Sequence, residues 1–231
     1  MTTFVDDMMM KKPTGDGRVF TMCHLAADSL EELHQSAKEI GLKKRWFQDR
    51  PRFPHYDVTL SKRREAVSNG AILISLRQMI QWSKLKAKGV ALWHGTQSNG
   101  KETLLPFIDK RTGYRGVFAS CFFEVASLFS LLPSRHDSRV NFDTYQGRFV
   151  NTGRCLFSQP PNQYGYVYLV DGSFGFESTR YHDKTDKAEC ISCEAVTPIF
   201  CVKVSKKEVS QWWEFEQKPK IHITRPKGWK V

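Results

Sequence analysis

Three short segments hold the residues of this chain best suited to chemistry. Leu92-Trp93-His94-Gly95-Thr96 offers an imidazole, a glycine and a hydroxyl in succession. Twenty residues beyond Thr96, Gly116-Val117-Phe118-Ala119-Ser120 sets an aromatic ring among small residues. Glu189-Cys190-Ile191-Ser192 comes late and supplies a carboxylate, with Glu194 as a second candidate. An imidazole nitrogen can donate to a hydroxyl. A glycine lets a ligand approach the backbone closely. An aromatic ring offers its π face to a flat cation, and a carboxylate meets developing positive charge. Glu189 and Glu194 are five apart, so on one continuous strand they would point to opposite faces.

A second polar set lies earlier. Asp6, His24, His55 and Asp57, beside Lys62 and Arg63, could line a pocket for a phosphate or nucleotide. Sets of His and Asp also bind metals, but this spacing is diagnostic of none, and no metal is assigned. Cys190-x-x-Cys193 has metal-ligand spacing without a second pair, so it reads as period-two packing in a strand.

The elements that position these residues follow from hydrophobic rhythm. Phe4-Val5 before Asp6-Asp7 reads as a short edge strand. Leu30, Leu33, Ala37 and Ile40 recur at helical spacing, Ser29 and Glu32 form a capping box, and Gly41 stops the helix. His55 to Leu60 alternates as a strand, a helix runs from Glu65 to Asn69, and residues 71–88 give a strand and a helix. A linker is expected at Lys84–Gly89. Beyond it, strands are expected at Val90–Trp93, Gly116–Ala119, Tyr166–Val170, Cys190–Ile191 and Ile199–Val204, and a helix at Phe122–Leu132. Ser134–Pro161 and Phe174–Lys187 read as long loops, and Pro219–Val231 as a loosely packed basic tail.

The chain has 231 residues, enough for one large domain or two small ones, and 40% hydrophobic content builds a core. No apolar run is long enough to span a membrane, and the acidic start is unlike a signal peptide. A cytoplasmic protein with six reduced cysteines is expected. The net charge of +11 is spread along the chain: sixteen Lys/Arg against ten Asp/Glu in residues 1–90, and nineteen against fourteen afterwards. An even basic surplus favours an anionic partner such as nucleic acid or an anionic small ligand.

In order and spacing, the three segments resemble the NAD site of ADP-ribosyltransferases, in the branch with poly(ADP-ribose) polymerases, diphtheria-type toxins and RNA 2′-phosphotransferases. Leu92 to Thr96 is similar at every position to the first motif. Gly116-Val117-Phe118-Ala119 is one residue shorter than the second, so the family tyrosine falls on Val117 or Phe118. Glu189 to Pro198 fits the third. The resemblance implies that His94 holds a ribose, that Gly95 meets the nicotinamide amide, and that Thr96 or its neighbours contact the adenine-side ribose. It implies that Phe118 stacks on nicotinamide, with Ser120 beside it in the NAD site, and that Glu189 is catalytic.

Residues 1–75 are similar to a bacterial and phage family known as domain of unknown function 4031, through Val5-Asp6-Asp7, Cys23 to His34, Trp46-Phe47-Gln48, His55 to Thr59 and Lys62-Arg63. The combined expectation is an α+β protein. A small basic α/β module (1–88) precedes an ADP-ribosyltransferase-like split antiparallel β-sandwich with flanking helices (89–231). The implied activity is mono-ADP-ribosylation from NAD of a macromolecular acceptor, DNA or RNA ahead of protein, in conflict between phage and host as toxin or counter-defence factor. His24, His55, Asp57, Lys62, Arg63 and Glu194 would serve the acceptor or its phosphate. The alternatives are a nucleic-acid-binding module with an inert transferase-like half, an NAD glycohydrolase, and an RNA 2′-phosphotransferase-like enzyme using Arg111 and Arg115.

Overall fold

The computed structural model describes residues 2–110, 113–133, 138–145, 148–178 and 189–218. Arg111, part of each expected long loop and the basic tail lie outside the described residues.

The first half runs β1 (Thr3–Val5), β2 (Met10–Pro13), β3 (Val19–Ala27), α1 (Leu30–Glu39), β4 (Phe47–Gln48), β5 (His55–Thr59), α2 (Leu60–Ser68), β6 (Ile72–Leu73) and α3 (Leu76–Ala87). Its sheet has the order β4-β5-β3-β1-β6, with β2 paired to β3. β1 is therefore an interior strand, antiparallel to β3 and parallel to β6, and not the edge strand its brevity implied. The capping box at α1 is formed: Glu32 N donates to Ser29 Oγ at 3.2 Å, and Ser29 N donates to the Glu32 carboxylate at 3.2 Å. Gly41, at φ 72°, turns the chain out of the helix. α2 starts five residues before the expected Glu65, because the Thr59 hydroxyl accepts from Lys62 N at 3.4 Å and caps it. Ala66 is the residue α2 buries, so no apolar stripe marks its first turn.

The second half runs β7 (Ala91–Thr96), β8 (Phe107–Ile108), β9 (Arg115–Ala119), α4 (Phe123–Leu131), β10 (Arg139–Tyr145), β11 (Arg148–Phe157), β12 (Tyr164–Asp171), β13 (Phe176–Ser178), β14 (Cys190–Ser192), β15 (Phe200–Ser205), α5 (Lys206–Val209) and β16 (Trp213–Gln217). Two small sheets are antiparallel, β15-β12-β7 and β13-β14-β9-β8. A third, β10-β11-β16, includes a parallel β11–β16 pair. The fold is thus mixed α/β, with several small sheets where two antiparallel ones were expected.

The β10–β11 hairpin replaces most of the long loop expected at Ser134–Pro161. Its signal was apolar and alternating but sparse: Phe142 stacks on Phe149 at 5.7 Å, and Phe149 meets the Trp213 ring at 5.3 Å. β13 likewise begins inside the second expected loop.

The linker expected at Lys84–Gly89 is mostly helix, because α3 continues to Ala87. Met79, Trp82 and Leu85 from α3 join Phe4, Trp93, Phe123 and Leu128 in one continuous apolar cluster across residue 88. At its centre, the Phe4 ring lies 4.8 Å from Trp82, 5.9 Å from Trp93 and 5.4 Å from Phe123. The two halves therefore share a core. Among the described residues no helix is long and apolar enough to cross a membrane.

Candidate functional site

β7 and β9 meet at one bridge and then part. Trp93 N donates to Ser120 O at 2.7 Å, and Ser120 N donates to Trp93 O at 2.9 Å. Successive strand residues turn their N–H and C=O to opposite edges. Gly95, two residues beyond Trp93, therefore turns both groups to the edge that β9 has left. α4 covers this fork: a Cβ on Gly95 would stand 1.9 Å from Ala126 O and 2.9 Å from Ser130 N. The absence of a side chain at Gly95 thus lets the helix sit directly on the strand.

The fork gathers residues from all three sequence segments. Gly95, Phe118, Ser120 and Glu189, with Ala126 and Phe129 of α4, line one narrow crevice of about 20 Å³. β14 pairs with β9 through Cys190↔Ala119 and Ile191↔Phe118, so the same register carried one step further sets Glu189 opposite Ser120. Ser120 Oγ accepts from Phe122 N at 3.1 Å and holds the turn into α4. Glu194 is exposed beyond the end of β14, its N–H given to Ser192 Oγ at 3.3 Å, and does not line the crevice. Cys190 is buried and Cys193 exposed, as for side chains on opposite faces, and all six cysteines are free thiols.

A larger cleft of about 530 Å³ adjoins the crevice through Gly95 and Phe129, and includes His94, Thr96, Lys101, Phe107 and Lys110 in its lining. That volume is within the range of small-molecule sites. His94 is buried, with Nδ1 2.6 Å from the carbonyl oxygen of Phe118. A carbonyl only accepts, so Nδ1 carries the hydrogen and Nε2 of the neutral ring is an acceptor. The role expected for this ring was that of a donor to a ribose hydroxyl; with Nδ1 given to the Phe118 carbonyl, a donor role for Nε2 requires the protonated imidazolium. The Phe118 ring packs against Phe107 at 5.5 Å.

Sequence reasoning missed Tyr168, Phe107, Phe129 and Lys101. Tyr168 OH accepts from Lys101 N at 3.0 Å and donates to Ser98 O at 3.1 Å, which anchors the loop after β7. Tyr168 faces His94 across the β12–β7 ladder, and only that pairing could have revealed it.

The early polar set also converges in part. Asp6, one residue past β1, donates its N–H to His24 O at 3.1 Å, and His24 on β3 and Asp57 on β5 are a direct cross-strand pair. His55 lies two residues from Asp57, on the same face. Asp6 is fully buried; its carboxylate accepts from His24 N at 2.8 Å and meets His24 Nδ1 at 2.7 Å. His55 donates through Nδ1 to Phe53 O at 2.8 Å. Burial, and then the neighbouring His24, hold His55 below the usual imidazole range. Burial works to raise the Asp57 carboxyl, but hydrogen bonds from Lys12 and Gln48 and the Lys12 charge bring it below its usual value. Lys12, which the sequence did not single out, and Gln48, named there only for the family resemblance, contact Asp57 Oδ2 at 2.5 and 2.6 Å. Arg63 donates to Asp6 O at 2.7 Å. Lys62 instead pairs with Glu65 at 2.8 Å.

Residues 3–86 match the model of a family described as "Protein of unknown function (DUF4031)". The match ends before the cleft. No curated protein and no solved structure matches the chain.

Proposed function

We propose that this protein is a mono-ADP-ribosyltransferase that moves ADP-ribose from NAD to a macromolecular acceptor, with DNA or RNA ahead of protein. The observation that carries the reading is the meeting of Gly95, Phe118, Ser120 and Glu189 at the fork between β7 and β9. These residues come from three separate segments, and each has a chemistry the reaction needs.

The residues fit NAD. The cleft has the volume for the nucleotide, Lys101 and Lys110 give it positive charge for a pyrophosphate, and the Gly95 edge offers a paired donor and acceptor for an amide. When bound, NAD supplies an anomeric ribose carbon whose bond to nicotinamide is broken by transfer. His94 accepts from a ribose hydroxyl through Nε2, held in register by the Phe118 carbonyl. The Phe118 ring offers its face to nicotinamide. Glu189 stabilises the positive charge that develops on the ribose, or takes the proton of the acceptor nucleophile. Phe129, shared by crevice and cleft, must turn aside for a ring to enter a space of about 20 Å³. The basic surplus of both halves supports an anionic acceptor.

The test is incubation with NAD labelled on the adenylate phosphate and a cell lysate, followed by separate nuclease and protease digestion. Label released from macromolecules by nuclease is the expected result. Label released only by protease would make the acceptor a protein. Neither label transfer nor nicotinamide release would overturn the enzyme reading.

A further inference from the structure

We propose that His24, His55 and Asp57 bind a divalent first-row transition-metal ion, with Asp6 fixing the His24 ring as a positioning residue. The site lies in the first half and is independent of NAD chemistry.

The donor atoms of these three residues all lie within 4.8 Å of one another. Each imidazole has its Nδ1 committed, His24 to the Asp6 carboxylate and His55 to the Phe53 carbonyl. That fixes the tautomer of the neutral rings and leaves Nε2 as the ligating lone pair, the arrangement in which metal-bound histidines are held by an outer carboxylate or carbonyl. Among the described residues neither Nε2 has a hydrogen-bond partner. The nearest carboxylate oxygen to His55 Nε2 is Asp57 Oδ1 at 3.8 Å, too far for a hydrogen bond. Two ligands of one tetrahedral ion stand about 3.4 Å apart, so small side-chain rotations close the set. Asp57 divides its oxygens accordingly: Lys12 and Gln48 hold Oδ2, and Oδ1 faces His55.

The rings form one unit. His24 and His55 have centroids 4.7 Å apart, and Phe53 stacks on His55 at 4.6 Å, shielding one side. Two imidazoles and one carboxylate suit Zn²⁺ or Fe²⁺ and not Mg²⁺ or Ca²⁺, which take oxygen ligands. Three protein ligands leave a coordination position for water or an anion.

The test uses the full chain, stripped with a chelator and titrated with Co²⁺ and then Zn²⁺. One Co²⁺ per chain, with visible d–d bands displaced by Zn²⁺, is expected. His55→Gln and Asp57→Asn should each raise the dissociation constant at least about tenfold, and Asp6→Asn about 10- to 100-fold, with circular dichroism unchanged. Lys12→Met, at a half-exposed side chain, should bind as tightly or tighter, because it frees Asp57. Cys193→Ser should bind like the wild type. No stoichiometric binding, equal binding by wild type and Asp57→Asn, or loss on Cys193→Ser would each overturn the assignment.

Discussion

His94 Nδ1 lies 2.6 Å from the carbonyl oxygen of Phe118, and this bond ties the strand of the first motif to the strand of the second. Because a carbonyl only accepts, it decides that Nδ1 carries a hydrogen. It also keeps β7 and β9 in register beyond the Trp93–Ser120 bridge, where their backbones separate.

His94→Ala removes that donor and leaves the Phe118 carbonyl without it, at a cost of about 1–3 kcal/mol. The expected outcome is a lower melting temperature and, at a temperature where the variant is folded, nicotinamide release reduced by two orders of magnitude or so. Calorimetry and a release assay on the same sample check both.

Gly95→Ala sets a methyl group 1.9 Å from Ala126 O, a backbone atom that cannot swing aside. α4 must shift, so a loss of about 1–3 kcal/mol is expected from overpacking, read as a lower denaturant midpoint. NAD turnover should fall with it, because α4 forms one wall of the crevice.

Trp82 is 2% exposed at the junction of the two halves. Trp82→Ala should destabilise by about 3–5 kcal/mol. Because Phe4, Trp82, Trp93 and Phe123 form one cluster, both halves should lose stability together, in a single transition. Fluorescence and circular dichroism melts that coincide would agree; an unchanged melt for one half would contradict the shared core.

Glu32 is buried, and burial followed by the charge of Glu124 raises its carboxyl from 4.5 to about 7. The same causes push Asp28 upward. A raised carboxyl favours the folded state when protonated, so its contribution is fully present below pH 4.5 and is lost as pH rises through about 7. The change over that window is about 3 kcal/mol. Glu32→Gln keeps an acceptor for Ser29 N and removes the charge. It should be more stable than the wild type at pH 8 and little different at pH 4.5, as read by urea titration.

The sequence revealed what depends on local rhythm. The α1 capping box, the alternation of His55 to Thr59 and the largely apolar run of α4 each lie within one element. The start of α2 was hidden because its helix depends on a cap and not on an apolar face. The β10–β11 hairpin was hidden because its packing partner, Trp213, lies far along the chain. At the fork, motif order led to Gly95, Phe118 and Glu189, whereas Tyr168 there, and Lys12 and Gln48 beside Asp57, meet partners on other strands that spacing does not encode. The direction of the His94 hydrogen bond depended on a carbonyl from another strand.

Nicotinamide release from NAD, compared among wild type, Glu189→Gln and Glu194→Gln, tests the transferase reading most directly. Glu189 lines the crevice and Glu194 is exposed beyond the end of β14. The reading predicts release by the wild type, near-complete loss with Glu189→Gln and wild-type rates with Glu194→Gln. Loss with Glu194→Gln alone, or no release by a folded wild type with any acceptor, would contradict it.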